Sequence, residues 1–445
     1  MKNTFMPPFK NLEQLYAHQL EGLKWTVNHT YNGSDFYRAQ LDKAGVNPSD
    51  IKSLDDLSKL PFTTGKDIEE GYPLPLLSVP EKEVVRIHAS SGTTGKRKVL
   101  SYTQNDLDIW FDMFARCYEM AGLIKNDRVQ IAVGYGVWTA GMGFQSGCEK
   151  LGAMAIPTGP GNIDMQCQFL VDMQPTVFCC TASMALLMAE EVNNRGIKDK
   201  INLKKVILGS ERCSNAMQIK IKELLGLEDI FDITGMTELY GPGTGLDCHK
   251  HEGIHYWADR YILEVLNSET LKPVEDGKTG EMVITTLCKE AAPLIRYRTR
   301  DLTRKIATPC TCKNILPMHD KIVGRSDDMI ILRGVNIYPG QIDEVLSAID
   351  AVGSEYQLHL EKKDDGKDYM TIKSEIKEGF SFDNAQNIID RIKAHIKTKI
   401  MVRCDVEICE YGTLPRVAGK SRRIFDMRDE HCKGRSEPVT VHQKE

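Results

Sequence analysis

Between positions 10 and 60 the apolar residues Leu12, Leu15, Leu20, Leu23 and Trp25 recur at roughly helical spacing. "NPSDIKSLDDLSKLPFTT" then interrupts them with Pro, Ser and Asp, the residues of turns. A second stripe, Leu107, Trp110, Phe111, Phe114 and Tyr118, predicts a helix capped by Thr103. From there β-rich runs alternate with helical ones. "RVQIAVGYG", "AMAIPTG", "TVFCCTAS", "KKVILGSE" and "DIFDITG" read as strands; "MALLMAEEVNNRG" and Asn215–Leu225 read as helices between them. This alternation predicts an α/β domain on a mainly parallel sheet, which binds ligands at the carboxyl ends of its strands. Four polar stretches begin where strands end: the glycine-rich "SSGTTGK", then "GYGVW", "GSE" and "ITGMTE".

After Glu252 the pattern changes to antiparallel β in "HYWADRYILEVL", "GEMVITTL" and "PLIRYRTRDLTRKI". A smaller unit follows: β in "MIILRGVNIYP", α in "GQIDEVLSAID", two strands joined by "KKDDGKD", a helix near 383–400, and β in "RCDVEICEY". The expected organisation is a large α/β domain of layered sheets and helices over 1–326 and a small α+β domain over 327–445.

Composition narrows the function. The chain has 445 residues, 41% apolar and 27% charged, as ordinary soluble proteins have, and its net charge of -5 makes no case for nucleic-acid binding. No apolar h-region follows Lys2, and no apolar run is long enough to span a membrane. A cytoplasmic, reduced protein is expected. Its thirteen cysteines then read as free thiols or metal ligands.

Two stretches carry candidate chemistry. "SSGTTGK" is not a Walker loop, because Gly92 and Gly95 are separated by only Thr93 and Thr94. Its glycines still let the backbone close on an anion. The hydroxyls of Ser90, Ser91, Thr93 and Thr94 and the charge of Lys96 favour phosphate. A solvated surface loop is the other reading. "LDCHKHEGIH" and "PCTC" hold Cys248, His249, His251, His255, Cys310 and Cys312. Cys-x-Cys after proline suits a structural, tetrahedral Zn²⁺ site, with Cys248, His255, Cys310 and Cys312 as the chosen four. Unrelated surface thiols and imidazoles are the alternative. No G-x-S-x-G elbow supports a serine hydrolase.

Five segments occur in one order from Ser90 to Arg423: "SSGTTGK", "FDITGMTE", "YRTRDL", "GRSDDMIILRGVNIYP" and "PRVAGKSRR". Together they resemble the AMP-forming adenylating enzymes. "LPFTTGKDI", "VVRIHASSGTTGK", "PLIRYRTRDLTR" and "RGVNIYPGQIDEVL" are most similar to the phenylacetate–CoA ligase subfamily. The resemblance implies an acid–thiol ligase that uses ATP, Mg²⁺ and coenzyme A, forms an acyl-adenylate, and works as a homodimer. It implies that Ser90 to Lys96 cradle the β- and γ-phosphates, that Thr237 bonds the α-phosphate, and that Glu238 holds Mg²⁺. Glu211, Asp232, Thr234, Gly235 and Met236 match the adenine-side stretch, Asp301 the ribose aspartate, and Arg325 an arginine near ribose and phosphate. Lys420 matches the adenylating lysine, Asp327 the hinge, and Arg333 with Gly334 the thioester-forming side. The stretch holding Tyr135, Trp138, Met142 and Phe144 matches the acyl pocket, whose rings suit an aryl or arylacetic acid; Tyr135 and Trp138 are the substrate candidates. Plain core is the other reading of those rings. Two positions depart from the wider family: Thr234 replaces an aromatic, and Arg300 replaces glycine, the latter as in the subfamily. A carrier-protein thiol as acceptor, or an ATP-binding regulator without catalysis, are the alternatives.

Overall fold

In the computed structural model the alternating runs join into one nine-stranded sheet. Residues 5–90, 97–137, 139–211, 213–327, 330–333, 335–363, 367–415 and 423–428 are described. They form two units, Met1–Cys213 with Ile221–Ser326, and Ser214–Lys220 with Asp327–Glu445.

In the first unit, β1 (Arg86–Ala89) and β2 (Val99–Tyr102) make an antiparallel hairpin. Strands β3 (Arg128–Ile131), β4 (Met154–Ile156), β5 (Val177–Thr181), β6 (Lys205–Gly209) and β7 (Asp229–Met236) are parallel, in the order β4-β3-β5-β6-β7. Central strands covered on both faces read as continuous apolar runs, and Val177–Cys180 and Val206–Leu208 are buried throughout. Beyond β7 the direction reverses. β8 (Gly241–Asp247) and β9 (Ile254–Tyr256) add antiparallel. β10 (Tyr261–Leu266), β11 (Gly280–Thr286) and β12 (Tyr297–Thr303) form a separate antiparallel sheet. β13 (Lys305–Ile306) and β14 (Met318–His319) return to the edge at β9, and β15 (Gly324–Arg325) pairs with β12.

The helix Gln104–Met120 starts at Thr103, whose hydroxyl accepts from the Asp106 N–H while the Asp106 carboxylate accepts from the Thr103 N–H. Its stripe of Leu107, Trp110, Phe114 and Tyr118 is buried. The helix Leu12–Gly33 differs from expectation. It buries Leu15, Gln19, Leu23, Val27 and Thr30, whereas Leu12 and Trp25 are 46% and 40% exposed. Those two fall off the four-residue rhythm set by Leu15, Gln19, Leu23 and Val27. A second difference concerns "ITGMTE". Strand β7 continues through Met236, so only Thr237 to Tyr240 turn. Gly235 permits this. It sits at φ 155°, and a Cβ there would lie 2.3 Å from the Gly241 carbonyl oxygen and 2.5 Å from the Pro242 Cα.

The second unit has its own core. β16 (Ile330–Leu332) and β17 (Val335–Ile337) form a hairpin ahead of the helix Pro339–Ser347. β18 (Val352–Lys362) and β19 (Asp368–Ile376) are antiparallel, and β20 (Asp405–Cys409) and β21 (Ile424–Asp426) flank them in parallel. The helix Ala385–Lys399 packs Ile388, Ile392 and Ile396, four residues apart, with Leu358, Leu360 and Ile372. Among the described residues no helix is long and apolar enough to cross a membrane.

Gly235→Ala tests the strand reversal. Overpacking should destabilise the first unit by about 1–3 kcal/mol, read as a lower urea midpoint for its transition, with the second unit's transition unmoved.

Candidate active site

The β1–β2 hairpin delivers the glycine-rich loop. Ala89 pairs with Val99, the Ser90 N–H donates to the Lys98 carbonyl at 3.0 Å, and the Ala89 N–H donates to Val137 at 3.0 Å. Ser90 thus ends the stem. Ser91, Gly92, Thr93, Thr94, Gly95 and Lys96 lie outside the described residues, as do Trp138, Gly334 and Lys420.

The turn from Thr237 to Tyr240 meets this hairpin. Tyr102 of β2 donates its hydroxyl to the Thr237 carbonyl at 3.1 Å, and His88 of β1 donates Nδ1–H to the Tyr240 carbonyl at 2.9 Å. Glu238 projects from the turn with its side chain 12% exposed. Its Oε1 accepts the Tyr297 hydroxyl at 2.9 Å and lies 3.4 Å from Lys98 Nζ. A carboxylate held beside the stem of a phosphate-type loop, with one cation already on it, can share a hard metal ion with a polyphosphate.

β12 and β15 bring a second pair together. Asp301 and Arg325 are register partners, with Arg325 Nη1 3.5 Å from Asp301 Oδ1. The strand kinks at Arg300, where φ is 69° and the carbonyl accepts the Ser326 N–H at 2.7 Å. Asp301 and Glu238 are linked through β12, which carries Tyr297 at its start.

Asp232 and Glu211 are already engaged within the protein. Burial pushes the Asp232 carboxyl up to about 7, against the pull of Lys321 3.4 Å away. The Asp232 N–H donates to Asp247 Oδ1 at 2.6 Å, and Asp247 in turn meets His251 at 2.8 Å. Glu211 accepts from the N–H and hydroxyl of Ser183 at 3.0 and 2.6 Å, at the start of the helix Ala182–Asn194. Thr234 and Met236 are half-buried in β7, and Gly235 between them makes the close approach to β8.

Of the aromatic candidates, Tyr135 lies against Gly141, where a Cβ would fall 2.5 Å from its ring. Its buried hydroxyl has no partner among the described residues, and burial pushes it up to about 12. Phe144 is core: it is 3% exposed and packs edge-on to Phe114 at 4.9 Å. Met142 meets Ser146 within their shared helix. In the second unit Asp327 is exposed, and Arg333 adopts φ 50° and donates to the Arg403 carbonyl at 3.1 Å.

The four chosen metal candidates converge. One ligand atom from each of Cys248, His255, Cys310 and Cys312 lies within 4.8 Å of the others. Cys248 and Cys310 sulfurs are 3.5 Å apart, and Cys312 Sγ is 3.4 Å from His255 Nε2. His255 Nδ1–H donates to the Leu316 carbonyl at 2.8 Å, which frees Nε2 to ligate. Backbone N–H groups of Lys250, Cys312 and Asn314 each reach a cysteine sulfur at 3.4 Å, an arrangement that suits thiolates. His251 is held instead by Asp247 and Asp229 at 2.8 and 2.9 Å, and His249 is exposed.

The arrangement matches known proteins along almost the whole chain. The AMP-binding enzyme family covers residues 32–288, and its C-terminal domain family covers 334–428. Phenylacetate-coenzyme A ligase from Escherichia coli strain K12 is 39% identical, over 96% of this chain and 98% of its own. That of Aromatoleum evansii is 40% identical over 94% and 95%. The chain belongs to the phenylacetate–CoA ligase family of AMP-binding enzymes. Phenylacetate-coenzyme A ligase from Thermus thermophilus is 37% identical over 95% and 99%. Among solved structures, 2-hydroxyisobutyryl-CoA ligase in its postadenylation state has a TM-score of 0.88 at 24% identity, covering 96% of this chain and 94% of that one. A benzoate CoA ligase from Burkholderia xenovorans LB400 has 0.57 at 18% identity, covering 77% and 69%. Both show the same adenylate-forming fold.

Lys98, Tyr102, Tyr297 and Lys321 escaped the reading of the sequence. Two of them left a signal. Lys98 stands two residues beyond Lys96 in the same basic run, and Tyr297 opens "YRTRD". Tyr102 and Lys321 carry no motif; only the tertiary fold sets them against Thr237 and Asp232.

Asp232 generates a pH prediction. The folded chain holds a proton that the unfolded chain has released, so stability falls as pH rises from about 4 to about 7. The loss is at most about 4 kcal/mol. Asp232→Asn should flatten this part of the stability profile of the first unit, measured by urea unfolding at successive pH values.

Proposed function

We propose that the chain joins an aryl or arylacetic acid to coenzyme A in two half-reactions. In the first, a carboxylate oxygen attacks the α-phosphorus of ATP, the bond to the β-phosphate breaks, and pyrophosphate leaves. In the second, the thiol sulfur of coenzyme A attacks the acyl carbon, its proton passes to solvent, and AMP leaves. The observation that carries this reading is the Glu238 carboxylate, held by Tyr297 and Lys98 at the stem of the glycine-rich loop. Its support is a chain 37–40% identical to phenylacetate-coenzyme A ligases over nearly its full length.

In this reading Ser90 to Lys96 receive the β- and γ-phosphates and Thr237 receives the α-phosphate. Glu238 would hold Mg²⁺, which neutralises charge on the leaving pyrophosphate. The Asp301 carboxylate suits a ribose diol, and Arg325 both aligns it and faces phosphate charge. Glu211, Asp232, Thr234, Gly235 and Met236 belong to the adenine side. With threonine at 234, no ring from that position stacks on the base. Tyr135 and Trp138 belong to the acid side. Lys420 supplies positive charge in the first half-reaction only. Asp327 serves as the hinge between half-reactions, and Arg333 with Gly334 serves the second. The enzyme works as a cytoplasmic homodimer.

Zinc is the second metal proposed. Three thiolates and one neutral imidazole form a closed structural set. It would tie the β8–β9 segment to the Cys-x-Cys turn before β14.

With Mg²⁺, ATP and a panel of aryl, arylacetic and short aliphatic acids, the products should be AMP and pyrophosphate, fastest with arylacetic acids. Lys420→Ala should slow pyrophosphate release roughly a hundred- to a thousandfold while thioester formation from preformed adenylate stays near normal. ADP and phosphate as products would overturn the reading.

Purified protein should carry about one zinc per chain by elemental analysis. Cys310→Ser should lower zinc content and melting temperature together. Zinc-free protein of unchanged stability, never exposed to chelator, would rule the site out.

A further inference from the structure

Lys289 is 0% exposed, yet it forms no ion pair among the described residues. Its one hydrogen bond there runs from Nζ to the Ala292 carbonyl at 2.9 Å. Two aromatic faces lie against it: Nζ lies 4.3 Å from the Tyr102 ring centre and 5.6 Å from that of Tyr240. A buried ammonium with no carboxylate in contact is costly.

The cage around Lys289 forms the back of the Thr237–Tyr240 turn. Tyr102 gives its hydroxyl to the Thr237 carbonyl at 3.1 Å. His88 packs against Tyr102 with the rings tilted by 33° and their centroids 3.9 Å apart, and gives Nδ1–H to the Tyr240 carbonyl at 2.9 Å. Burial and the neighbouring ammonium push His88 down to about 3, so it stays a neutral donor. Asp106 fixes the backbone beside Lys289, accepting the N–H groups of Glu290 and Ala291 at 2.7 and 3.0 Å. Lys289 therefore touches the same two tyrosines that shape the turn carrying Thr237 and Glu238.

We propose that Lys289 is a positioning residue whose ammonium, gripped by the Tyr102 and Tyr240 rings, holds the Thr237–Tyr240 turn in its polyphosphate-binding form. This rests on the reading of that turn as the ATP site. Cation–π attraction strengthens in a desolvated site and vanishes when the amine is neutral. Polyphosphate at the turn favours the charged amine, and by linkage the charged amine favours polyphosphate.

Burial lowers Lys289 to about 8, while the charges of Asp106 and Glu238 pull it upward. The other titratable groups facing it are His88, Tyr102, Tyr240 and, beside Tyr240, Cys288. The Glu290 carboxylate turns away to Thr103 and Asn105. Around neutral pH the amine is mostly charged; two pH units higher it is mostly neutral.

The test is calorimetric binding of MgATP to the full chain at about pH 7 and about pH 9. If only the charged form is competent, wild-type affinity should fall about tenfold over that interval. Lys289→Met should bind more weakly at the lower pH and show no such fall. Tyr102→Phe, which keeps the cage but cuts its bond to Thr237, should also weaken binding and flatten the fall. A merely structural lysine would lower stability without removing the pH response. Constant wild-type affinity across the interval would overturn the inference even if Lys289→Met failed to fold, and so would an undiminished fall in a folded Lys289→Met. If wild type bound no MgATP at either pH, the reading of the site would fail, and this inference with it.

Discussion

The close approach of β8 to β7 at Gly235 is the constraint on which the site depends. No side chain fits there, because the backbone of Gly241 and Pro242 occupies the place of a Cβ. The sheet changes from parallel to antiparallel at this contact, and the short Thr237–Tyr240 turn is its consequence. That turn lifts Glu238 out of the sheet toward the β1–β2 stem. Parallel sheets place ligands at the carboxyl ends of their strands, and here the last parallel strand reverses at its carboxyl end.

Around the turn, each charge has a distinct electrostatic setting. Glu238 is mostly shielded between a phenol and an ammonium, with 12% of its side chain left exposed to an incoming cation. Asp301 faces Arg325 across a strand pair. Asp232 is buried deeply enough for its carboxyl to titrate near neutrality, with Lys321 as its partner. Lys289 has rings in contact, while the carboxylates of Asp106 and Glu238 act on it without an ion pair. Identical residue types thus do different work because their surroundings differ.

The cysteine and histidine cluster makes the same point for metal chemistry. His251 and His255 are four residues apart, and both could ligate by residue type. Partners separate them. Two carboxylates occupy both nitrogens of His251, whereas a carbonyl takes Nδ1 of His255 and leaves Nε2 facing Cys312. Cys-x-Cys spacing brought two thiols together by chain geometry alone; Cys248 came to them from a segment sixty-two positions away.

Much of the architecture was legible because burial on both faces of a parallel sheet leaves continuous apolar runs, and because caps such as Thr103 with Asp106 are local. Family identity was legible because the motifs answer to backbone and charge requirements that only a few residue types meet. The phase of the helix Leu12–Gly33 was not legible, since Leu12 and Trp25 are as apolar as the residues that bury. Nor could the sequence assign Phe144 to the core rather than to a pocket, because an aromatic ring serves both. The pairings of Glu238 with Tyr297 and Lys98, of Thr237 with Tyr102, and of Asp232 with Lys321 span 59 to 140 positions. Short-range pattern carries no record of such distances. They exist only once the strands stack, because a hydrogen bond or ion pair acts over a few ångströms of space whatever the separation along the chain.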